Sequence, residues 1–151
     1  NSDNKDGRRP EFYAASYLIL QRGGEVLFLH RKNTGWMDGY WGLPAGHIEG
    51  AESVSEAALR EAKEEVGIEL EESDITLHHV MHRPSMSGRI YFDFFFTADV
   101  GDRQPQNTEP DKHDELRWCS VNELPENTIP YIKRVSERIR QGIFFSEDIT
   151  S

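Results

Sequence analysis

Residues 46–68 read GHIEGAESVSEAALREAKEEVGI, a glycine-led loop that runs into a helix rich in acidic side chains. Because successive residues of an α-helix turn by about 100°, Glu61, Glu64 and Glu65 project within one arc of roughly 100°. Carboxylates that close together repel and raise one another's pKa unless a cation neutralises them. Their oxygen atoms are hard ligands, so the segment predicts a site for Mg²⁺, with Mn²⁺ as an alternative.

The same segment specifies where its helix begins, ends and packs. Ser53, followed three residues later by Glu56, has the form of a capping box, and Gly67 is placed to end the helix. An apolar stripe on one side of the helix comprises Val54, Ala58, Leu59, Ala62 and Val66. Glu65 falls at the edge of this stripe. We therefore expect its carboxylate to be half buried, which suits a metal ligand better than an unpaired charge.

The spacing of these residues resembles the signature of the Nudix hydrolases over the whole segment. That signature runs glycine, five residues, Glu, seven residues, Arg-Glu, an aliphatic residue, any residue, Glu-Glu, any residue, glycine and an aliphatic residue. The matching residues are Gly46, Glu52, Arg60, Glu61, Ala62, Glu64, Glu65, Gly67 and Ile68. Ala62 is smaller than the usual aliphatic residue, a departure that affects packing and leaves the acidic residues unchanged.

The resemblance implies a set of metal ligands. Glu64 and Glu65 would be the main ligands, together with the carbonyl oxygen of Gly46. Members of the family often add an acidic residue from a loop on the far side of the site. We expect this residue to be Glu115, in an acidic stretch that begins near Glu109, and a solvated acidic loop is the alternative.

The other charged residues of the signature are implied to serve the reaction and the loop. Glu61 would be a metal ligand, the general base or both, and we predict that it takes the proton. Arg60 and Glu52 would orient Glu61 and brace the glycine-led loop. The implied catalytic group is therefore Arg60, Glu61 and Glu64.

Length and composition indicate one compact domain. The 151 residues are 36% hydrophobic and 11% aromatic, which is enough for a single core. We place the domain at residues 11–145, between a disordered leader at 1–10 and a tail at 146–151. The sequence shows no signal peptide, and no apolar run is long enough to span a membrane. Cys119 is the only cysteine, so the cytoplasm is the expected location.

The formal net charge of −10 argues against a nucleic-acid polymer as the partner, because proteins hold phosphate backbones with clustered Lys and Arg. It is compatible with a free nucleotide held by a metal ion and a few local cations. Arg31, which precedes the signature, is a candidate for such a contact, and a solvated strand end is the alternative. The expected partner is a small nucleotide, bound by a monomer or homodimer with no membrane attachment.

Hydrophobic periodicity predicts an α/β fold. The predicted strands cover residues 12–20, 25–30, 41–43, 75–83, 89–98 and 115–121. A second helix is predicted at 130–141, where aliphatic residues recur at helical spacing and Gly142 follows. This order of elements favours a mixed β-sheet between helical layers, which is also the α/β/α sandwich that the resemblance implies.

The loop at residues 33–40 is the predicted site of substrate selection. Trp36 offers an aromatic face on which a base can stack. Asn33 and Asp38 can hydrogen-bond the edge of a base and penalise a mismatch. The expected substrate-binding residues are Arg31, Asn33, Trp36, Asp38 and Tyr40.

These features predict a metal-dependent hydrolase of nucleoside diphosphates linked to another moiety. Because the small domain resembles the mutator-type enzymes, the leading prediction is a (deoxy)nucleoside triphosphate pyrophosphohydrolase that releases a monophosphate and pyrophosphate in nucleotide-pool housecleaning. A hydrolase of ADP-ribose, nucleotide sugars or dinucleoside polyphosphates is the alternative among enzymes. A Nudix-fold sensor without turnover is the other alternative, and the intact acidic set argues against it.

Overall fold

The computed structural model describes residues 9–85 and 88–148 and contains a mixed sheet of eight strands with a helix against each face. The strands are β1 (Phe12–Arg22), β2 (Glu25–Arg31), β3 (Trp41–Gly42), β4 (Ala45–His47), β5 (Thr76–Pro84), β6 (Ile90–Asp99), β7 (His113–Ser120) and β8 (Phe145–Glu147). The helices are α1 (Val54–Val66) and α2 (Pro130–Arg140), and a short 3-10 helix covers Glu72–Asp74. Within these ranges, neither helix has the length and hydropathy needed to cross a membrane.

Each predicted strand and helix is present, with ends that shift by at most two residues. Two short strands, β4 and β8, have no counterpart in the prediction, because three residues are too few to show a period of two. β8 also crosses residue 145, the predicted end of the domain. Residues 1–8 of the predicted leader and 149–151 of the predicted tail lie outside the described residues.

β1 lies at the centre of the sheet and fixes the position of the glycine-led loop. It pairs with β6 in parallel over ten residue pairs, and β6 pairs with β5 as an antiparallel hairpin. On its other side, β1 pairs with β4, so that Ser16 lies opposite Gly46. The strand order is β3-β2-β1-β6-β5-β8, with β7 paired to β2. The central strand thus holds the first residue of the signature in place.

The core has two layers because alternate residues of β1 face opposite sides of the sheet. Leu18 and Leu20 pack with the α1 layer, which includes Ala58, Ala62 and Val66. Tyr17 and Ile19 pack with the α2 layer, which includes Cys119, Ile132 and Val135. The predicted α/β/α sandwich is therefore confirmed.

α1 begins and ends where the sequence predicts. The hydroxyl of Ser53 accepts a hydrogen bond from the backbone N–H of Glu56 (3.0 Å), and the Glu56 carboxylate accepts one from the backbone N–H of Ser53 (2.8 Å). Gly67 ends the helix in the left-handed conformation, at a φ of 66°. With its ends fixed in this way, α1 presents a defined acidic face towards β4.

Candidate active site

Arg60 lies at the centre of the acidic face of α1. Its Nε donates to Oε2 of Glu52 (2.6 Å) and its Nη2 to Oε1 of the same carboxylate (3.1 Å). Its Nη1 donates to Glu61 (2.7 Å) and to Glu64 (3.0 Å). Nη2 also donates to the carbonyl oxygen of His47 (3.0 Å). One guanidinium therefore joins the helix to the loop.

Glu61 packs directly against the backbone of Gly46. A Cβ atom added at Gly46 would overlap the Glu61 carboxylate, so this position admits no side chain. Glu61 is only 8% exposed. Burial raises the pKa of its carboxyl group, and the hydrogen bond from Arg60 acts in the opposite direction. The requirement for glycine here follows from this close approach.

Glu65 completes the set of three carboxylates and is half buried, as expected from its place on the helix. Its Oε1 accepts a hydrogen bond from the backbone N–H of Ala45 (2.9 Å). Burial raises the pKa of Glu65 to about 8, and the charges of Glu61 and Glu109 add to this rise. The charge of Arg31 acts in the opposite direction. A cation at this place would relieve the repulsion.

Glu109 lies in a loop that is fastened to the end of α1. The backbone N–H of Gln106 donates to the carbonyl oxygen of Val66 (2.9 Å). The hydroxyl of Thr108 donates to the carbonyl oxygen of Glu64. These contacts place Glu109 where its charge raises the pKa of both Glu61 and Glu65.

The structure does not bring Glu115, the acidic residue expected from sequence, to this cluster. Glu115 is exposed on β7 and accepts hydrogen bonds from the guanidinium of Arg117 (3.1 and 3.2 Å). The two side chains meet because residues two apart in a strand lie on the same face. Glu115 thus pairs with Arg117 in this structure, and Glu109 is the loop acid whose charge raises the pKa of Glu61 and Glu65.

The donor atoms fit a hard divalent cation, although the side chains are not arranged around one. In the described ranges, no three His, Cys, Asp or Glu side chains stand close enough to hold a metal ion as they are. Arg60 holds Glu61 and Glu64 instead. Glu64 is exposed, so its carboxylate has room to turn. Several carboxylates beside an unsubstituted glycine backbone are the ligand type that Mg²⁺ and Mn²⁺ prefer.

A cavity of about 640 Å³ opens beside β4. His47 lines it, and the carbonyl oxygen of the same residue is bonded to Arg60, so the cavity and the acidic face meet at one residue. The His47 ring stacks on Tyr91 with ring centroids 5.7 Å apart. The other aromatic and cationic residues of the wall are Tyr17, Trp36, Tyr131, Arg83, Arg89 and Arg134.

A family model described as the NUDIX domain matches residues 10–139. The chain belongs to the Nudix family. CTP pyrophosphohydrolase of Escherichia coli is 29% identical over 75% of this chain and 76% of its own length. A Caenorhabditis elegans protein whose name assigns it to the nudix hydrolases is also 29% identical, over 84% of this chain but only 35% of its own length.

The fold comparison agrees with the family. A solved structure of a MutT NUDIX hydrolase from Burkholderia pseudomallei superposes with a TM-score of 0.75 and 29% identity, covering 86% of this chain and 98% of that one. The family match and the relatives indicate that this Nudix domain hydrolyses diphosphate bonds in nucleoside diphosphate derivatives.

Of the five substrate-binding residues expected from sequence, Trp36 alone is among the residues that line the cavity of the Nudix domain. Arg31 holds the loop in shape: its Nε donates to the carbonyl oxygen of Trp36 (3.0 Å), and its guanidinium lies 4.9 Å from the Trp36 ring centroid. Asn33 and Tyr40 are exposed. The aromatic candidate is thus well placed, and Arg31 supports it.

Asp38 is occupied within the loop itself. Its Oδ1 accepts hydrogen bonds from the hydroxyl (2.6 Å) and backbone N–H (3.1 Å) of Thr34, and its Oδ2 accepts one from the N–H of Gly35 (3.0 Å). The hydrogen bond from Thr34 is the main cause that lowers the pKa of Asp38. This geometry corresponds to a role in holding the loop, whereas the sequence pattern predicts a contact with the base.

Two ion pairs at the cavity are not among the residues predicted from sequence. Arg83 pairs with the fully buried Asp93 (2.6 Å). Arg134 pairs with Asp148 through both carboxylate oxygens (2.9 and 2.7 Å). The signal for the first pair was present in the sequence, because an acid inside the apolar run Phe-Asp-Phe of a strand needs a buried partner.

The contact between Gly46 and Glu61 yields a direct test. We expect Gly46→Ala to lower kcat/KM for nucleotide hydrolysis with Mg²⁺ by about 100-fold or more, because the new Cβ displaces the Glu61 carboxylate. Gly24→Ala is the matched control, since a Cβ there meets no atom within 4 Å. Kinetics and urea unfolding of both variants provide the measurement. Wild-type activity in Gly46→Ala would show that the Glu61 carboxylate need not occupy this position.

Proposed function

We propose that this Nudix domain is a nucleoside triphosphate pyrophosphohydrolase that releases a nucleoside monophosphate and pyrophosphate. The observation that carries the proposal is the connection made by His47, which lines the aromatic cavity while its carbonyl oxygen is bonded to Arg60. A nucleoside in the cavity then has its phosphates beside the acidic face of α1. The E. coli relative supports this reading, since its name assigns it a nucleoside triphosphate.

The acidic face supplies the ligands for Mg²⁺ or Mn²⁺ in this proposal. The ligands would come from Glu61, Glu64, Glu65, the carbonyl oxygen of Gly46 and, in place of Glu115, Glu109. A divalent ion held there would neutralise the charge of the diphosphate and lower the pKa of a bound water. Burial and neighbouring acids raise the pKa values of Glu61 and Glu65. A divalent ion in this place would stabilise the charged form of both carboxylates.

Glu61 is assigned the role of general base. Its Oε2 accepts a hydrogen bond from Arg60 Nη1 at 2.7 Å, and the missing side chain of Gly46 lets the carboxylate approach the loop backbone. As the oxygen of water bonds to phosphorus, the bridging P–O bond breaks, and the proton of the water passes to the Glu61 carboxylate. Arg60 and Glu52 keep Glu61 in place through this step.

The products distinguish the proposal from its alternatives. A triphosphate pyrophosphohydrolase releases pyrophosphate from nucleoside triphosphates. A hydrolase of ADP-ribose, nucleotide sugars or dinucleoside polyphosphates releases other phosphorylated products from those substrates, and a sensor binds without turnover. A panel of these compounds, assayed with Mg²⁺ and resolved by chromatography, identifies the class.

The acidic net charge of −10 supports a free nucleotide over a nucleic-acid polymer as substrate.

The metal requirement is tested on the same panel. We expect activity to vanish with EDTA and to return with Mg²⁺ or Mn²⁺, and Glu64→Gln to lower kcat by about 100-fold or more. Without metal, the unfolding free energy of Glu64→Gln should be unchanged or higher, because one repelling charge is removed.

Glu69→Gln, an exposed acid beyond the end of α1, is the control for loss of one negative charge and should behave as wild type. Full activity in EDTA contradicts the metal assignment. A Glu64→Gln variant that unfolds while its folded fraction keeps wild-type turnover contradicts the assignment of Glu64 as a catalytic residue.

The loop at residues 33–40 yields a further prediction. We expect Trp36→Ala to raise KM about fivefold or more for several nucleotides with little change in kcat, because a stacking surface is lost. Asp38→Ala should raise KM for all bases alike, because it loosens the loop without removing a contact to the base. Steady-state kinetics on four triphosphates measure both effects, with Phe144→Ala as an exposed aromatic control. A change in base preference in Asp38→Ala would restore its base-reading role.

A further inference from the structure

A buried ion pair lies in the wall of the cavity. Asp93 is fully buried on β6, and Arg83 on β5 contacts it through Nε (2.6 Å) and Nη2 (3.5 Å). Such a pair contributes little to stability beyond what apolar residues of the same size would give, because both charges lose their hydration. The pair therefore has a better explanation in what it holds than in the stability of the sheet.

The guanidinium of Arg83 is held between two aromatic rings. Its central carbon lies 4.1 Å from the ring centroid of Tyr131 and 4.5 Å from that of Tyr91. The Asp93 carboxylate accepts hydrogen bonds from Nε and Nη2 of Arg83. Within residues 9–85 and 88–148, Nη1 of Arg83 donates no hydrogen bond. The Arg83 side chain is 13% exposed and lines the cavity. A rigid, planar group with unused donors thus faces the space where the proposed function places the nucleoside.

The charge of Arg83 is already neutralised by Asp93 at 2.6 Å. What Arg83 offers to a ligand is therefore directed hydrogen bonds more than net positive charge, which suits an uncharged base better than a phosphate. The surrounding wall agrees, because Trp36, Tyr91 and Tyr131 provide aromatic faces for a flat ring.

We propose that Arg83, positioned by Asp93, reads the base and selects guanine and cytosine over adenine and uracil. Two neighbouring N–H donors of a guanidinium need two neighbouring acceptors, which guanine offers at O6 and N7 and cytosine at O2 and N3. Adenine places an amino group beside each ring acceptor of its outer edges, and uracil places an N–H between its two carbonyl groups. This inference rests on the proposed function, since it takes the cavity as the nucleoside site.

The test compares kcat/KM for GTP, CTP, ATP and UTP and, independently of turnover, the calorimetric affinities for GMP, CMP, AMP and UMP. We expect the wild type to prefer guanine or cytosine by about tenfold or more. Arg83→Lys keeps a positive charge beside Asp93 but loses the planar pair of donors. The ratio of guanine or cytosine nucleotides to adenine or uracil nucleotides should therefore fall towards one, both in kcat/KM and in affinity. Arg103→Lys is the control, since Arg103 pairs with Asp74 outside the cavity.

Asp93→Asn tests the positioning role, because it leaves Arg83 in the cavity wall without its charged partner. We expect the preference to fall in this variant as well, which a purely structural role of Asp93 would leave unchanged. Where Asp93→Asn does not fold, Arg83→Lys decides the question alone.

The outcomes separate this inference from the proposed function. A wild type without preference, or an Arg83→Lys variant that keeps it, overturns the inference while leaving triphosphate hydrolysis standing. An equal rise of KM for all four nucleotides in Arg83→Lys assigns Arg83 to the sugar or phosphate and also overturns it. Selective binding of GMP or CMP that Arg83→Lys abolishes, without hydrolysis of any triphosphate, supports base reading and overturns the pyrophosphohydrolase proposal.

Discussion

The site depends on the hydrogen bonds of a single guanidinium. Arg60 holds the carboxylates of Glu52, Glu61 and Glu64 and the carbonyl oxygen of His47 within reach of one side chain. Without the positive charge of Arg60 between them, the carboxylates on α1 would repel one another and turn away from this cluster. The hydrogen bond from Arg60 is also the main cause that lowers the pKa of Glu52, so this acid stays charged and holds the loop.

The sheet determines where this network acts. Gly46 is paired with Ser16 on the central strand, and the absence of a side chain lets Glu61 lie against the loop backbone. One residue further along β4, His47 enters the wall of the cavity. Backbone pairing in β1 and β4 therefore sets the distance between the acidic face of α1 and the cavity that we propose as the nucleoside site. A shift of one residue in this register would separate them.

Local patterns in the sequence were sufficient for α1 and its caps, because both lie within one segment of chain. The family resemblance supplied the expected roles of Arg60 and Glu52, but not the contacts of Arg60 with Glu64 and His47. Glu109 was passed over for Glu115 because its position depends on hydrogen bonds to the end of α1, more than forty residues earlier. The loop contacts of Asp38 could not be foreseen, because an acid in a loop looks the same in sequence whether it binds a ligand or its own backbone. The Arg83–Asp93 pair needed the register of β5 against β6, which periodicity does not supply.

The central claim is that the acidic face of α1 binds a divalent ion beside Gly46. Titration with Mn²⁺, followed by electron paramagnetic resonance, measures this without substrate or turnover. The wild type is expected to remove the signal of free Mn²⁺ from solution, and Glu61→Gln and Glu65→Gln are each expected to weaken binding by about tenfold or more. A wild type that leaves the free Mn²⁺ signal unchanged, or a Glu65→Gln variant that binds as tightly as the wild type, would contradict the account.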